Sequence, residues 1–446
     1  MTALASASPD RRAPDRRAPD RRAIASWCLY DWAMSAYNTV ITTFVFSVYF
    51  ARGVVGDPVA GTSRWSAAMT AAGLCIAVLS PVLGAIADRS GRRKPWLALF
   101  TAITVIFTAA LWWAKPDPSY ALFALVCVVV GTVAFELANV FYNATLPSVS
   151  PPNMLGRVSG WGWGVGYFGG LACLLVALFA FVKATDPLFG LVGTAEQANV
   201  RATAWLVAVW YALFALPFFL WVPDEPATGR PLGTAVREGL STLRRTLVEA
   251  RRYKQAMRFL IASAFYRDGI NTITAFGGIY AAGTFGMTFE EIIVFAIALN
   301  VVAGVGAIGC AWLDDRIGAK PTILLSLAGL TACGVPLLLV TEKAWFWVLA
   351  LGLGACFGPA QASGRSLMAR LSPPHMETEM FGLYSLTGRV VGFFGPLALG
   401  LATEAFSSQR AGMATVVAFF VIGFGLMLLV REPAPGRDGR MRQSAA

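Results

Sequence analysis

A chain of 446 residues, 57% hydrophobic and only 14% charged, has too little charge to give several soluble domains a polar surface. It fits instead an all-α membrane protein whose outside faces lipid. The formal charge of +11 sits mostly between apolar stretches, and no basic patch interleaved with aromatics stands apart, which excludes a nucleic-acid partner.

The residues that usually hold cofactors are scarce. There is one histidine, His375, and seven cysteines, none in a Cys-x-x-Cys pair and each within or at the edge of an apolar stretch. They read as small buried hydrophobes, so no metal or other cofactor is expected. No Gly-x-x-x-x-Gly-Lys-Ser/Thr loop is present for ATP, and no clustered catalytic set marks an enzyme.

In chain order, residues 1–23 carry the repeat RRAPD-RRAPD-RRA, whose proline and charge density predict a disordered tail. It lacks the apolar core of a cleaved signal peptide. Apolar runs then place spans near 27–51, 65–87, 95–114, 119–143, 157–182 and 200–222, and again near 256–282, 288–312, 321–341, 344–366, 378–402 and 410–431. Lysine and arginine concentrate in the loops that share a side with the N-terminus, so both termini are expected in the cytoplasm, with the chain in the inner membrane if bacterial. The expected units are a tail (1–23), a six-helix bundle (24–222), a linker (223–255), a second six-helix bundle (256–431) and a C-terminal tail (432–446). In the linker, Leu232, Val236, Leu240, Leu243 and Leu247 recur at helical spacing among Arg237, Arg244, Arg245, Arg251 and Arg252. This predicts a basic amphipathic helix on the inner membrane surface, or a docking site for a partner.

Between the second and third spans lies Gly84-Ala-Ile-Ala-Asp88-Arg89-Ser-Gly91-Arg92-Arg93-Lys94-Pro95. A worn copy follows the eighth span: Ala311-Trp-Leu-Asp314-Asp315-Arg316-Ile-Gly318-Ala319-Lys320-Pro321. Other echoes keep the same order: Ser150-Pro151-Pro152 with Ser372-Pro373-Pro374, Asn38-Thr39 with Asn271-Thr272, and Tyr167-Phe168-Gly169-Gly170 with Phe393-Phe394-Gly395-Pro396. Together they predict two pseudo-symmetric halves. The loop resembles the signature between helices 2 and 3 of major facilitator superfamily transporters. That resemblance implies twelve helices around a central cavity, and a cytoplasmic gate at Gly84, Asp88, Arg89, Gly91 and Arg92, with a weaker counterpart at Asp315 and Arg316. It also implies that Asp88 latches the outward-open state at a helix N-terminus.

Ionisable groups within spans cost about 2.5–3.5 kcal/mol each on insertion scales and so call for a role. Asp268 and Arg267 lie in the seventh span, Arg389 in the eleventh, Glu136 in the fourth above Asn139 and Asn143, Asn300 in the eighth and Gln361 in the tenth. If the superfamily resemblance holds, most can face the cavity. Asp268 is the first candidate for a proton site, through a contact with Arg389 that breaks on protonation. The same contact, or one with Arg267, serves equally as a permanent neutral tie. Glu136 has no partner at helical spacing, which suits a protonated, hydrogen-bonded carboxyl. Asp31 reads as a gate, hydrated or paired with a loop arginine such as Arg157. Asn38 and Asn271, with their neighbouring threonines, read as solute contacts or as helix–helix glue. The glycines from Gly160 to Gly170 predict close helix approach.

A closer resemblance rests on Trp27-Cys-Leu-Tyr30-Asp31-Trp32-Ala33, Tyr142-Asn143-Ala144-x-Leu146-Pro147, Gly156-Arg157-Val158-Ser159 and Asp268-Gly269-x-Asn271-Thr272. These blocks resemble the vacuole-effluxer-like branch, related to the autophagy amino-acid exporters. The branch implies a secondary transporter of a small polar solute, an amino acid among the candidates, and the chain is expected to work as a monomer. The superfamily implies proton coupling. The alternatives are a proton-coupled exporter of drugs or lipophilic metabolites, and a non-transporting receptor or scaffold.

Overall fold

The computed structural model describes residues 20–184, 187–188, 190–226, 232–248 and 253–432. The arginine repeat up to residue 19, Arg251 and Arg252 in the linker, and the tail from 433 lie outside the described residues. Among the described residues the regular structure is all helix. We label twelve long rods: α1 (Arg21–Ala36), α2 (Pro58–Ser90), α3 (Lys94–Ala110), α4 (Ala121–Ala144), α5 (Leu155–Val176), α6 (Ala198–Trp221), α7 (Lys254–Phe285), α8 (Phe289–Ile317), α9 (Ala319–Leu337), α10 (Lys343–Leu371), α11 (Glu377–Val391) and α12 (Gln409–Leu428).

Among the described residues ten helices are long and apolar enough to cross a membrane. α1, at 16 residues, is too short as a regular helix to join that group, and α7 carries Arg267 and Asp268 mid-way along it. Ten apolar rods with these two are consistent with the expected twelve. Side chains such as Leu122, 73% exposed, face outward along the rods, as a lipid-facing surface requires.

Local chemistry sets the ends. α1 starts at Arg21, earlier than expected, because the Asp20 carboxylate accepts from the backbone N–H groups of Arg22 (2.9 Å) and Ala23 (3.3 Å). Beyond Ala36 it continues as wide π-type turns over Tyr37–Phe44. α11 stops at Val391, and the chain resumes as the helix Phe394–Ala405, a break that hydropathy did not reveal. The linker helix Leu232–Val248 packs on α2, where a Cβ added at Gly239 would lie 2.9 Å from Ile86 Cα. Its Arg237, Arg244, Val236 and Leu240 are exposed.

α1 packs on α5 and α6, α3 on α4, α7 on α12, and α9 on α10. Two long seams join the first six rods to the last six: α2 against α11, and α5 against α8. The glycines of α5 divide between neighbours. Gly160 and Gly164 meet Ala311 and Ile308 of α8, while Gly166, Gly169 and Gly170 meet Ser35, Trp32 and Thr39 of α1 and its extension. A helix wedged between two others at this range has room for little more than hydrogen on either face. The cysteines differ in part from expectation. Cys28, Cys127 and Cys173 are buried, but Cys75 is exposed and Cys310, Cys333 and Cys356 are half-buried.

Candidate functional site

At the end of the bundle that carries the basic loops, two matching carboxylate contacts, termed latches below, join one helix to the N-terminus of another. At the end of α2, Asp88 accepts from the backbone N–H groups of Thr378 (3.2 Å) and Glu379 (2.8 Å), in the first turn of α11. These donors have no intrahelical partner and carry the positive end of the helix dipole. Gly84 makes the approach possible: a Cβ there would lie 2.5 Å from the Thr378 carbonyl oxygen. Gly91, at φ +84°, turns the chain out of α2.

The latch arginine is Arg93, which sequence reasoning passed over in favour of Arg89 and Arg92. Arg93 is 3% exposed and bridges Asp88 (3.1 Å), Glu377 (2.7 Å) and Glu225 (2.9 Å). Its Nε also donates to Thr378 Oγ1 (2.9 Å). Burial opposes its charge, but Asp88, Glu377 and Glu225 outweigh that and hold the guanidinium above its ordinary pKa. Arg92 is exposed, and Arg89 is half-buried at the end of α2.

The second latch repeats the first. At the end of α8, Asp315 accepts from the N–H groups of Gly156 (2.8 Å) and Arg157 (3.1 Å), in the first turn of α5, and from Arg157 Nε (2.6 Å). Arg157 therefore pairs with Asp315, not with Asp31. The expected weakness of this copy is not what the geometry shows. The glycine missing at Ala311 is supplied from the partner helix, where Gly160 leaves room for the Ala311 methyl group. The neighbouring Asp314 accepts from Arg370 (2.5 Å) and from Ser366 Oγ (2.6 Å). Arg316 is exposed.

The caps behind the latches also match. Asp224, after α6, accepts from the N–H groups of Arg93 (3.1 Å) and Lys94 (3.2 Å), and Lys94 Nζ donates to the Phe219 carbonyl (3.0 Å). Glu432, after α12, accepts from Ala319 (2.9 Å) and Lys320 (2.7 Å), and Lys320 Nζ donates to the Leu428 carbonyl (3.0 Å).

Above the latches lies a cavity of about 820 Å³. Asp31 and Asn38 line it from α1 and its extension, Glu136 and Asn139 from α4, Arg267 and Asn271 from α7, Asn300 from α8, Gln361 from α10 and Arg389 from α11. Its depth is ordered along α1 and α7. Asp31, nearest the latches, is only 13% exposed at its side chain, whereas Asn38 and Asn271, further from the latches, are exposed.

Two ion pairs cross this space. At the floor, Arg365 of α10 donates to Asp31 (2.9 Å) and Asn143 (3.2 Å), and to both Oγ (3.0 Å) and the carbonyl (2.6 Å) of Ser159. Its guanidinium lies 4.6 Å from the Trp27 ring, and Tyr142 adds a hydrogen bond to Asp31 (2.9 Å). Sequence reasoning passed over Arg365 because the tenth span, expected over 344–366, put it one residue from the end. The helix runs to Leu371, which leaves Arg365 more than a turn from its end. Higher in the cavity, Arg389 pairs with Glu136 of α4. This replaces two expectations: Glu136 has a partner, and Arg389 does not contact Asp268.

Arg267 also turns from Asp268. It donates to the Tyr384 carbonyl (3.0 Å) and lies 4.0 Å from that ring's centre. The cavity's amides are partly engaged: Asn38 accepts from Thr42 (2.8 Å), Asn139 from Asn143 (2.7 Å), Asn300 donates to the Ala296 carbonyl (2.8 Å) and Gln361 to Tyr167 (3.1 Å). Asp268 does not line the cavity. It is 1% exposed, and its one hydrogen bond comes from Gly395 N–H (2.7 Å).

Residues 54–438 match the family described as vacuole effluxer Atg22 like. The chain belongs to this vacuole effluxer family. Among relatives, an uncharacterised transporter of the major facilitator type from Bacillus subtilis, YxiO, is 27% identical over 91% of this chain and 94% of that one. Autophagy-related protein 22 of Yarrowia lipolytica is 24% identical over 62% of this chain, which spans about half (51%) of that protein. Among solved structures, the proton:xylose symporter XylE aligns with a TM-score of 0.73 at 14% identity, over 92% of this chain and 96% of that one. The transporter FucP, in its outward conformation, gives 0.72 at 13%, over 93% and 100%. This vacuole effluxer relative therefore has the major facilitator fold and is a multi-pass integral membrane transporter, not an enzyme.

Proposed function

We propose that this vacuole effluxer relative moves a small zwitterionic solute, of the amino-acid class, by alternating access, and that the present conformation is open away from the basic loops. The observation that carries the reading is the Glu136–Arg389 pair inside a solvent-reached cavity. A carboxylate and a guanidinium held on opposite helices offer complementary charges to an ammonium and a carboxylate on one small molecule. The surrounding amides add orientation without net charge. A lipophilic cargo would desolvate this pair and offer it no polar partner in return, which disfavours the drug-exporter reading. The description of the family, a vacuole effluxer, is consistent with transport of such a solute.

Sidedness follows from charge. The basic latches are expected on the cytoplasmic face under the positive-inside rule, with both termini beside them. The two halves, α1–α6 and α7–α12, would then rock about the α2–α11 and α5–α8 seams.

Counterflow in proteoliposomes tests this. Vesicles are loaded with pooled unlabelled amino acids and offered single labelled ones. Uptake of one class by the wild type, lost in Glu136→Gln, supports the reading. Absence of exchange with every amino acid by folded protein rejects the substrate class.

A further inference from the structure

Asp268 is the one cavity candidate that the fold places elsewhere, and its surroundings are incomplete. Its Oδ2 accepts from Gly395 N–H, but Oδ1 is buried without a partner. One turn along α7, Thr272 is likewise 1% exposed, and its Oγ1 has no partner. The two orphaned oxygens face the same point. A Cβ added at Gly395 would lie 3.0 Å from Asp268 Oδ1 and closer still to Thr272 Oγ1.

That point is the break in α11. The helix ends at Val391 and a new one starts at Phe394, so a C-terminal end rich in carbonyls and an N-terminal end rich in N–H groups meet beside Asp268. Interrupted helices of this kind hold coupling ions in other transporter architectures.

Among the described residues no cation answers the carboxylate. On α7 itself, Arg267 is turned onto Tyr384. On α11, Arg389 is turned onto Glu136, and Tyr384 presents its ring to Arg267. From α12 the neighbours at Gly269 are Phe419 and Phe420, which carry no charge. One N–H and a half-helix dipole offset only part of a full negative charge. A carboxylate this deeply buried is neutralised by something the chain does not supply.

We propose that Asp268 and Thr272, at the α11 break, form a site for a monovalent cation, a proton or a sodium ion, separate from the solute cavity, and that this cation couples to transport. The coupling role rests on the transport reading above; the ion site does not. Gly395, which donates to Asp268, lies in the helix that follows the break, and Arg389 lies in the last turn before it, so filling or emptying the site bears on the Glu136–Arg389 pair across the break.

The test uses purified full-length protein and no solute. Thermal unfolding is followed across pH 5–8 in sodium or choline salts, for wild type, Asp268→Asn and Thr272→Val. A cation bound only by the folded state raises the unfolding temperature with its concentration. Wild type is expected to respond to sodium or to acid, and Asp268→Asn, which keeps the acceptor for Gly395 but not the charge, to lose that response. A sodium response abolished in Thr272→Val identifies sodium; an acid response kept in Thr272→Val identifies the proton. Identical pH and salt profiles in wild type and Asp268→Asn overturn the site and leave Asp268 as a plain helix cap. In proteoliposomes, Asp268→Asn is expected to retain counterflow while gradient-driven accumulation falls by about tenfold or more. Loss of counterflow in wild type itself rejects the transport reading without touching the thermal result.

Discussion

Arg365 on α10 donates to Asp31 on α1 at 2.9 Å, directly beneath the cavity, and both side chains are largely withdrawn from solvent. The contact ties the last six rods to the first six at the deepest point a solute could reach. On the proposed alternating-access cycle, opening toward the latches would separate this pair, since α1 belongs to the first six rods and α10 to the last six.

Removing one partner isolates the other. Asp31→Asn leaves a buried guanidinium with neutral acceptors only, a change that costs about 3–5 kcal/mol for a buried pair. We expect a clear fall in unfolding temperature and loss of counterflow. Asp31→Asn combined with Arg365→Gln should recover stability and not transport. Unchanged stability of the single variant would show that Asn143, Ser159 and Trp27 alone satisfy Arg365.

Glu136 and Arg389 should behave differently. Their side chains are 22% and 35% exposed, so breaking the pair costs about 0–1 kcal/mol, as for solvated ion pairs. Glu136→Gln and Arg389→Gln are expected to leave the unfolding temperature nearly unchanged and to lower counterflow by about tenfold or more. Exchange at wild-type rates in both variants would remove the pair from the solute site.

The two latches predict equal sensitivity. Asp88 and Asp315 each accept from two backbone N–H groups at a helix N-terminus and from one arginine. Asp88→Asn and Asp315→Asn should raise labelling of cysteines introduced at the basic-loop end by similar factors. Gly160→Val should do the same as Gly84→Val, since each puts a side chain into a seam already at contact distance. A mild Asp315→Asn beside a severe Asp88→Asn would restore the ranking suggested by the worn loop sequence.

The sequence made the repeated parts legible and the cross-helix partners opaque. The loop motifs, the Ser-Pro-Pro steps and the helical polar faces are local patterns, and the latches and cavity lining follow from them. The partners of buried charges depend on where a second helix points. Arg389 and Asp268 both lie mid-span and so were expected to meet, yet α11 directs Arg389 to Glu136, and the helix break beyond it goes with Gly392 and Gly395, residues of a type that also occurs in unbroken spans. Arg365 was hidden by an expected helix end at 366. Arg93 was passed over beside two other arginines because nothing local distinguishes it. Only the fold shows that it reaches Glu225 and Glu377.

That distinction gives the last prediction. Arg93 uses Nε and both terminal nitrogens to meet Thr378, Glu225, Glu377 and Asp88, together with the Ala144 carbonyl. A lysine keeps the charge but carries one nitrogen on a flexible stem and cannot span partners on this many segments. Arg93→Lys is therefore expected to weaken the seal nearly as much as Arg93→Ala, seen as increased labelling at the basic-loop end and lower stability. Arg92→Lys and Arg92→Ala, at an exposed position, should both match wild type. If Arg93→Lys sealed as well as wild type, charge alone would suffice at this latch, and the bridging geometry from α2 to α11 would be incidental to its closure.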